Sequence, residues 1–150
     1  MPVFRKGTEA DLEQIAKLER ENFSDSWSVS SIAETMKQPQ AFLVVAEEKN
    51  EITGYCILYH VLDEGEIARI AVSHSFRRRG IGSGLLKYTC ACCEEMKVKR
   101  LLLDVREGNT GARAFYEAHG FEVDGIRKHF YENPKEHAVL MSKEINNDFH

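Results

Sequence analysis

The chain lacks several features that would assign it to a large class of proteins. Its longest uninterrupted apolar run covers only residues 41–46, whereas a membrane-spanning helix needs about 20 apolar residues. Residues 1–10 contain no apolar stretch of the kind found in secretory signals. Acidic residues outnumber basic residues by 24 to 20, for a net charge of −4, and a generic nucleic-acid binder usually has the opposite excess. We therefore expect a cytoplasmic protein that binds neither membranes nor nucleic acids.

The cysteines do not form a pattern typical of a metal centre. Cys90 and Cys93 are three positions apart in a predicted helix, but no second pair of cysteines or histidines stands at zinc-finger spacing. Without an export signal, the thiols are expected to remain reduced. The sequence therefore predicts buried free cysteines, including Cys56 and Cys92, and no metal.

The pattern of apolar residues predicts one α/β domain over residues 1–150, with a frayed tail at 146–150. Its order is strand, two helices, three strands, helix, strand, helix and two strands. Short polar turns at 48–51 and 63–65 favour antiparallel pairing of the early strands. The helix that follows residue 72 favours a crossover to a parallel strand. The expected fold is a single mixed, mostly antiparallel sheet flanked by helices.

The most informative stretch is a basic, glycine-rich turn, Arg77-Arg78-Arg79-Gly80-Ile81-Gly82-Ser83-Gly84. It lies between a predicted strand at 67–72 and a predicted helix at 85–97. Glycines let backbone N–H groups approach a ligand closely, and a helix N-terminus attracts anions. The turn lacks the Gly-Lys-Ser/Thr ending of a P-loop. It indicates a phosphate site, with a solvated basic turn that caps the helix as the alternative.

This turn resembles the pyrophosphate-binding loop of the GNAT N-acetyltransferases, whose pattern Arg/Gln-x-x-Gly-x-Gly/Ala is matched from Arg77 to Gly82. A second segment, 109–121, is similar to another feature of that family. The resemblance implies a GNAT fold and acetyl-CoA as the acetyl donor, with its pyrophosphate held by residues 77–84. It also implies that the pantetheine arm meets the backbone of the preceding strand, at Ile70, Ala71 and Val72. Asn109 either contacts the cofactor or only caps its helix.

Within the family, the chain resembles RimI-type enzymes, which acetylate the N-terminal alanine of a small-subunit ribosomal protein. The similar segments include Leu103-Asp104-Val105-Arg106 and the tail from Arg127 to Met141. The chain departs from that type at Asp104, where glutamate is typical, and at His137, where aspartate is usual. The resemblance implies that the acceptor is a protein N-terminus, that of a ribosomal protein. A small-molecule amine N-acetyltransferase and a non-catalytic CoA-binding module are the alternatives, and the oligomeric state stays open.

Two carboxylates are candidates for the general base that removes a proton from the attacking amine. Asp104 ends a predicted strand and acts directly or through a water, unless it pairs with Arg106. Glu66 is the rival, at the start of the strand before the glycine-rich turn. Alternation along that strand places Glu66 on the same sheet face as Ala68, Ile70 and Val72.

Three aromatic residues complete the candidate site. Tyr116 is the candidate acid for the leaving thiolate, because a phenol has a pKa of about 10. Its alternative role is that of a core tyrosine. Trp27 and Tyr131 lie in two predicted loops and are expected to line the acceptor pocket. A core plug and an ordinary strand-end aromatic are their respective alternatives.

Overall fold

The computed structural model describes residues 1–77, 79–132 and 134–145, so the predicted tail at 146–150 lies outside the described residues. Within these ranges, no helix is long and apolar enough to cross a membrane. Helices and strands alternate in the predicted order: β1 (Val3–Lys6), α1 (Leu12–Asn22), α2 (Val29–Met36), β2 (Ala41–Glu48), β3 (Glu51–Val61), β4 (Glu64–Val72), α3 (Ile81–Glu95), β5 (Arg100–Arg106), α4 (Thr110–Ala118), β6 (Glu122–Tyr131) and β7 (Glu136–Glu144).

The strands form one seven-stranded sheet in the order β1-β2-β3-β4-β5-β7-β6. Pairing is parallel between β4 and β5 and antiparallel between the other neighbours. The α3 crossover explains the parallel pair, because parallel strands need a long connection between them. The predicted mixed, mostly antiparallel sheet is therefore confirmed.

Helices cover the sheet on both faces. On one face, α3 and α4 bury a cluster that includes Leu85, Leu101 and Met141. On the other face, α1 and α2 bury Ile15 and Ile32 against the inner strands. All four cysteines are free, and only Cys90 is partly exposed. Burial raises the pKa of the Cys56 and Cys93 thiols to about 12, so these cysteines behave as apolar core residues.

Helix α3 begins at Ile81, four residues before the predicted start. Two glycines in its first turn, Gly82 and Gly84, disfavour helix, which is why the sequence pattern indicated a loop there. However, Ile81 is buried in the same cluster as Leu85, and residues four apart lie on one face of a helix. Gly80 caps the helix with a left-handed backbone, at φ 77°, a conformation that glycine adopts without strain.

Strand β4 contains a bulge at Ala68. Ile57 of β3 pairs with Arg69 while the next residue, Leu58, pairs with Ile67, so one β4 residue is extra. A bulge breaks the alternation of side chains. Ile67 and Ile70 consequently pack on the α3/α4 face, whereas Ala68 packs on the α1/α2 face. The expectation that Glu66 shares a face with Ile70 and Val72 is therefore wrong, and Glu66 lies on the opposite face from Ile67.

Candidate active site

Strands β4 and β5 separate in the middle of the sheet and leave a cleft of about 490 Å³. Their parallel ladder ends at the pair Glu66 and Leu102. Beyond this point, the edge of β4 that faces β5 has no strand partner among the described residues. Backbone N–H and C=O groups on such an edge are free to bond an extended ligand. Ile70, one of the predicted cofactor contacts, lines this cleft.

Glu66 and Asp104 face each other across the point where the strands part. Both carboxylates line the 490 Å³ cleft and an adjoining cavity of about 590 Å³. Burial raises the pKa of Glu66, and the negative charge of Asp104 raises it further, while Arg127 opposes the shift. The two candidate bases are therefore close enough for the charge of Asp104 to affect the pKa of Glu66.

Asp104 does not pair with Arg106, so the alternative role proposed for this aspartate is wrong. The Arg106 guanidinium instead lies 3.3 Å from the Glu136 carboxylate and donates hydrogen bonds to the carbonyls of Glu132 and Pro134. These bonds hold the β6–β7 connection against the end of β5. Among the described residues, Asp104 forms neither an ion pair nor a side-chain hydrogen bond, which leaves it open to an acceptor.

Tyr116 reaches the cleft from α4 on the side opposite α1. It is 8% exposed and packs edge-to-face on Phe121, with ring centroids 5.5 Å apart. Its hydroxyl has no hydrogen-bond partner within the described residues, although the residue lines the cleft. Burial is the main cause that raises the pKa of Tyr116, so the phenol keeps its proton at neutral pH. The ring belongs to the core, as the alternative held, while the residue also borders the reaction space.

Asn109 caps α4, because its Oδ1 atom accepts a hydrogen bond of 3.1 Å from the Ala112 N–H group. The capping role considered from the sequence is therefore confirmed. Asn109 also lines the cleft, and its amide nitrogen has no partner among the described residues. A cofactor contact through that nitrogen stays a prediction.

The glycine-rich turn presents N–H groups of Ile81, Gly82 and Ser83, the first turn of α3. Such groups have no partner inside a helix. The Gly84 N–H group, by contrast, donates to the Gly80 carbonyl at 3.0 Å, and its contact with a phosphate stays a prediction. Gly82 leaves room above the turn, since an added Cβ would meet only ordinary contacts at 3.5 Å or more.

The arginines of this turn that the structure describes, Arg77 and Arg79, have different contacts. Arg77 is exposed and donates to the Asn22 side chain at 2.5 Å. The Arg79 guanidinium lies 5.1 Å from the centre of the Phe76 ring. Arg78 lies outside the described residues. Participation of these arginines in phosphate binding stays a prediction.

The loop between α1 and α2 and the end of β6 border the side of the cleft where the acceptor residues were predicted. Tyr131 lines it as expected, with the Arg106 guanidinium 4.4 Å from the ring centre. Trp27 does not line the cleft, and Phe23 occupies the corresponding wall. Trp27 instead lies over Arg69, at 5.1 Å from the guanidinium carbon to the ring centroid. Arg69 also lines the cleft, and sequence patterns gave no signal for it because the bulge at Ala68 determines its direction.

Comparison with known proteins agrees with this geometry. The model of the acetyltransferase (GNAT) family matches residues 12–121. A ribosomal protein bS18 alanine N-acetyltransferase from Haemophilus influenzae is 33% identical over 135 residues, which cover 88% of this chain and 91% of that protein. The enzyme of the same name from Escherichia coli K12 is 30% identical over 138 residues, which cover 90% and 92%. A crystal structure of the Escherichia coli ribosomal-protein alanine N-acetyltransferase superimposes with a TM-score of 0.91 at 26% identity, covering 100% of this chain and 97% of that one.

The family match covers the parted strands, the glycine-rich turn and the Asn109–Tyr116 segment. The family predicted from the sequence is therefore confirmed together with the fold. This chain belongs to the acetyltransferase (GNAT) family and is an N-acetyltransferase.

Proposed function

We propose that the chain transfers the acetyl group of acetyl-CoA to the N-terminal alanine of a small-subunit ribosomal protein. Relatives from two bacteria carry the name ribosomal protein bS18 alanine N-acetyltransferase. The observation that carries the proposal is the open end of the β4–β5 cleft. There, two carboxylates and a protonated phenol border one space that a polypeptide end can reach.

The chain's own residues fit acetyl-CoA, the cosubstrate of the GNAT family. The N–H groups of Ile81, Gly82 and Ser83 would bond the pyrophosphate, because a helix N-terminus is a ready anion site. The unpaired edge of β4 at Ile70, Ala71 and Val72 would bond the amide groups of the pantetheine arm. Bound there, the thioester supplies an activated acetyl group.

We assign the general base to Asp104, with Glu66 as the second candidate. An N-terminal amine has a pKa of about 7.7–8.0, so it is partly protonated at neutral pH and is attracted by two carboxylates. The neutral form of the amine is the nucleophile. Asp104 would accept the one proton that its nitrogen loses on bonding to the acetyl carbon, directly or through one water. A free N–H group of the β4 edge would stabilise the negative charge that develops on the acetyl oxygen.

Tyr116 would donate its proton to the sulfur as the carbon–sulfur bond breaks. The raised pKa of Tyr116 keeps that proton available until a thiolate forms beside it. A thiol has a lower reference pKa than a phenol, so this transfer would need the Tyr116 hydroxyl close to the sulfur and would be coupled to cleavage of the carbon–sulfur bond. The base thus gains one proton and the acid loses one, and no covalent enzyme intermediate is needed.

The decisive experiment compares acceptors for the purified protein with acetyl-CoA, following thiol release and the mass of the product. We expect transfer to peptides that begin with alanine and none to the same peptides carrying a pre-acetylated N-terminus. Robust transfer to a polyamine or an amino sugar, with none to N-terminal peptides, would establish the small-molecule alternative. Binding of acetyl-CoA without turnover on either panel would indicate a non-catalytic module.

A further inference from the structure

On the α1/α2 side of the cleft, one buried carboxylate contacts β3, β4 and the loop between α1 and α2. Glu19 of α1 is 0% exposed. One oxygen of Glu19 accepts a hydrogen bond from the Tyr55 hydroxyl of β3. The other oxygen accepts a hydrogen bond of 2.8 Å from the Trp27 N–H group and lies 3.3 Å from the Arg69 guanidinium of β4. A charge this deeply buried is stable only with such partners.

Arg69 also contacts the loop between α1 and α2 directly. Its guanidinium lies between two aromatic rings, 4.2 Å from the centre of Phe23 and 5.1 Å from that of Trp27. One of its nitrogens donates a hydrogen bond of 2.8 Å to the Asp25 carbonyl. Cation–π stacking and a backbone hydrogen bond together fix a segment that has no regular secondary structure of its own.

The direction of Arg69 depends on the bulge at Ala68. Without the extra residue, alternation would point Arg69 toward the α3/α4 face. The bulge turns it toward α1 at the level of the cleft, where its charge is balanced by Glu19. Because this positive charge is already neutralised and only 13% of the side chain is exposed, Arg69 is poorly suited to binding an anion.

We propose that Arg69 is a positioning residue that holds residues 23–27 as one wall of the acceptor opening. This inference rests on the proposed acetyl transfer to an amine that enters between β4 and β5. Phe23 and Asp25 line that opening, and both are tied to Arg69. Loss of the Arg69 contacts would displace residues 23–27 at the acceptor opening. It would leave the N-terminus of α3 unchanged.

Trp27 provides a direct probe, since it is the only tryptophan in the chain. In Arg69→Met, which keeps an apolar side chain between the rings, we expect red-shifted tryptophan emission and lower anisotropy. We also expect the KM of the amine acceptor to rise by about tenfold or more, since small misplacements near a reacting centre have large effects. The KM of acetyl-CoA should change by less than about twofold.

Glu19→Gln is a second variant, and it separates positioning from direct contact with the acceptor. Glu19 is fully buried, so it acts on the acceptor only through its partners. We expect the same direction of change in tryptophan emission and acceptor KM, with retention of the fold checked by circular dichroism. Arg20→Met is the matched control, because Arg20 is exposed on the same helix, and it should leave both readouts unchanged.

Two results would overturn the inference. A higher acceptor KM in Arg69→Met with unchanged tryptophan signals would mean that Arg69 contacts the acceptor itself. Altered tryptophan signals with an unchanged acceptor KM would mean that residues 23–27 do not border the acceptor. The acceptor used is whichever amine the wild-type protein acetylates, so a failed peptide assignment leaves this test intact. If no amine is acetylated, the proposed function and this inference fail together.

Discussion

Gly84→Ala tests why the glycine-rich turn contains a third glycine. A Cβ added at Gly84 would lie 2.1 Å from the Phe4 Cζ atom and 2.6 Å from Cε2, far inside van der Waals contact. The Phe4 ring must move away, and overpacking of this kind costs about 1–3 kcal/mol. Replacement of glycine inside a helix returns about 0.5–1 kcal/mol. The net expectation is a loss of roughly 1 kcal/mol, which corresponds to a fall in Tm of about 2–4 °C for a domain of this size.

The assay pairs thermal unfolding with acetyl-CoA titration by calorimetry. Gly84→Ala should lower Tm while the folded protein retains its acetyl-CoA affinity, because the Gly84 N–H group is already bonded within the helix. Gly82→Ala should do the reverse. Its Cβ meets only ordinary contacts in the free protein, so stability should hold or rise, but the methyl group occupies the space assigned to the pyrophosphate.

A double-mutant comparison isolates the cause of the Gly84 effect. In a Phe4→Ala background the overlap is gone, so Gly84→Ala should become stabilising by about 0.5–1 kcal/mol through helix propensity alone. An increase in Tm for Gly84→Ala in the wild-type background would refute the packing argument. If Gly84→Ala lowered the affinity for acetyl-CoA without changing stability, we would infer that Gly84 contacts acetyl-CoA.

Three further expectations follow from the same geometry. Tyr116→Phe should lower kcat by about 10²–10⁴-fold with little change in acetyl-CoA affinity, and an unchanged kcat would make Tyr116 purely structural. In pH–rate profiles, Asp104→Asn should abolish the limb on which activity rises with pH, whereas Glu66→Gln should only shift it; the reverse pattern would make Glu66 the base. The Arg5 guanidinium, by hydrogen bonding, lowers the pKa of Asp11, so this pair stabilises the fold above about pH 4 and less as pH falls through the lowered pKa. Urea unfolding should therefore show Asp11→Asn as destabilising at about pH 7, with the difference shrinking at about pH 3, and a difference independent of pH would contradict the linkage.

The free helix N-terminus at the glycine-rich turn could be predicted from the sequence because it is formed by local structure. Residues that are consecutive in the chain supply the cap, the free N–H groups and the absence of side chains. The error in the start of α3 has the same origin, since local propensity disfavours glycine in a helix. Only the burial of Ile81 against Leu85, a tertiary contact, extends the helix through that turn.

The side of the cleft that we propose receives the acceptor could not be predicted in this way, because its parts are distant in sequence. Arg69 bonds the Asp25 carbonyl across 44 residues, and Arg106 reaches the Glu132 carbonyl across 26 residues. The bulge that directs Arg69 toward the first of these loops leaves no recognisable pattern in β4. Trp27 was therefore predicted as the wall that Phe23 actually forms.

Burial raises the pKa of both Tyr116 and Glu66, and the shift has a different meaning for a proposed acid and for a candidate base. Burial raises the pKa of Tyr116 because it disfavours the phenolate, so Tyr116, the proposed acid, would enter the reaction carrying its proton. Burial also raises the pKa of Glu66, again because it disfavours the charged form, and a carboxylate with a raised pKa is a stronger base. The negative charge of Asp104 raises the pKa of Glu66 further, but by less than burial does. The nearby Asp104 charge would thus make Glu66 a stronger base, while Tyr116 would keep the proton that we propose it gives to the leaving sulfur.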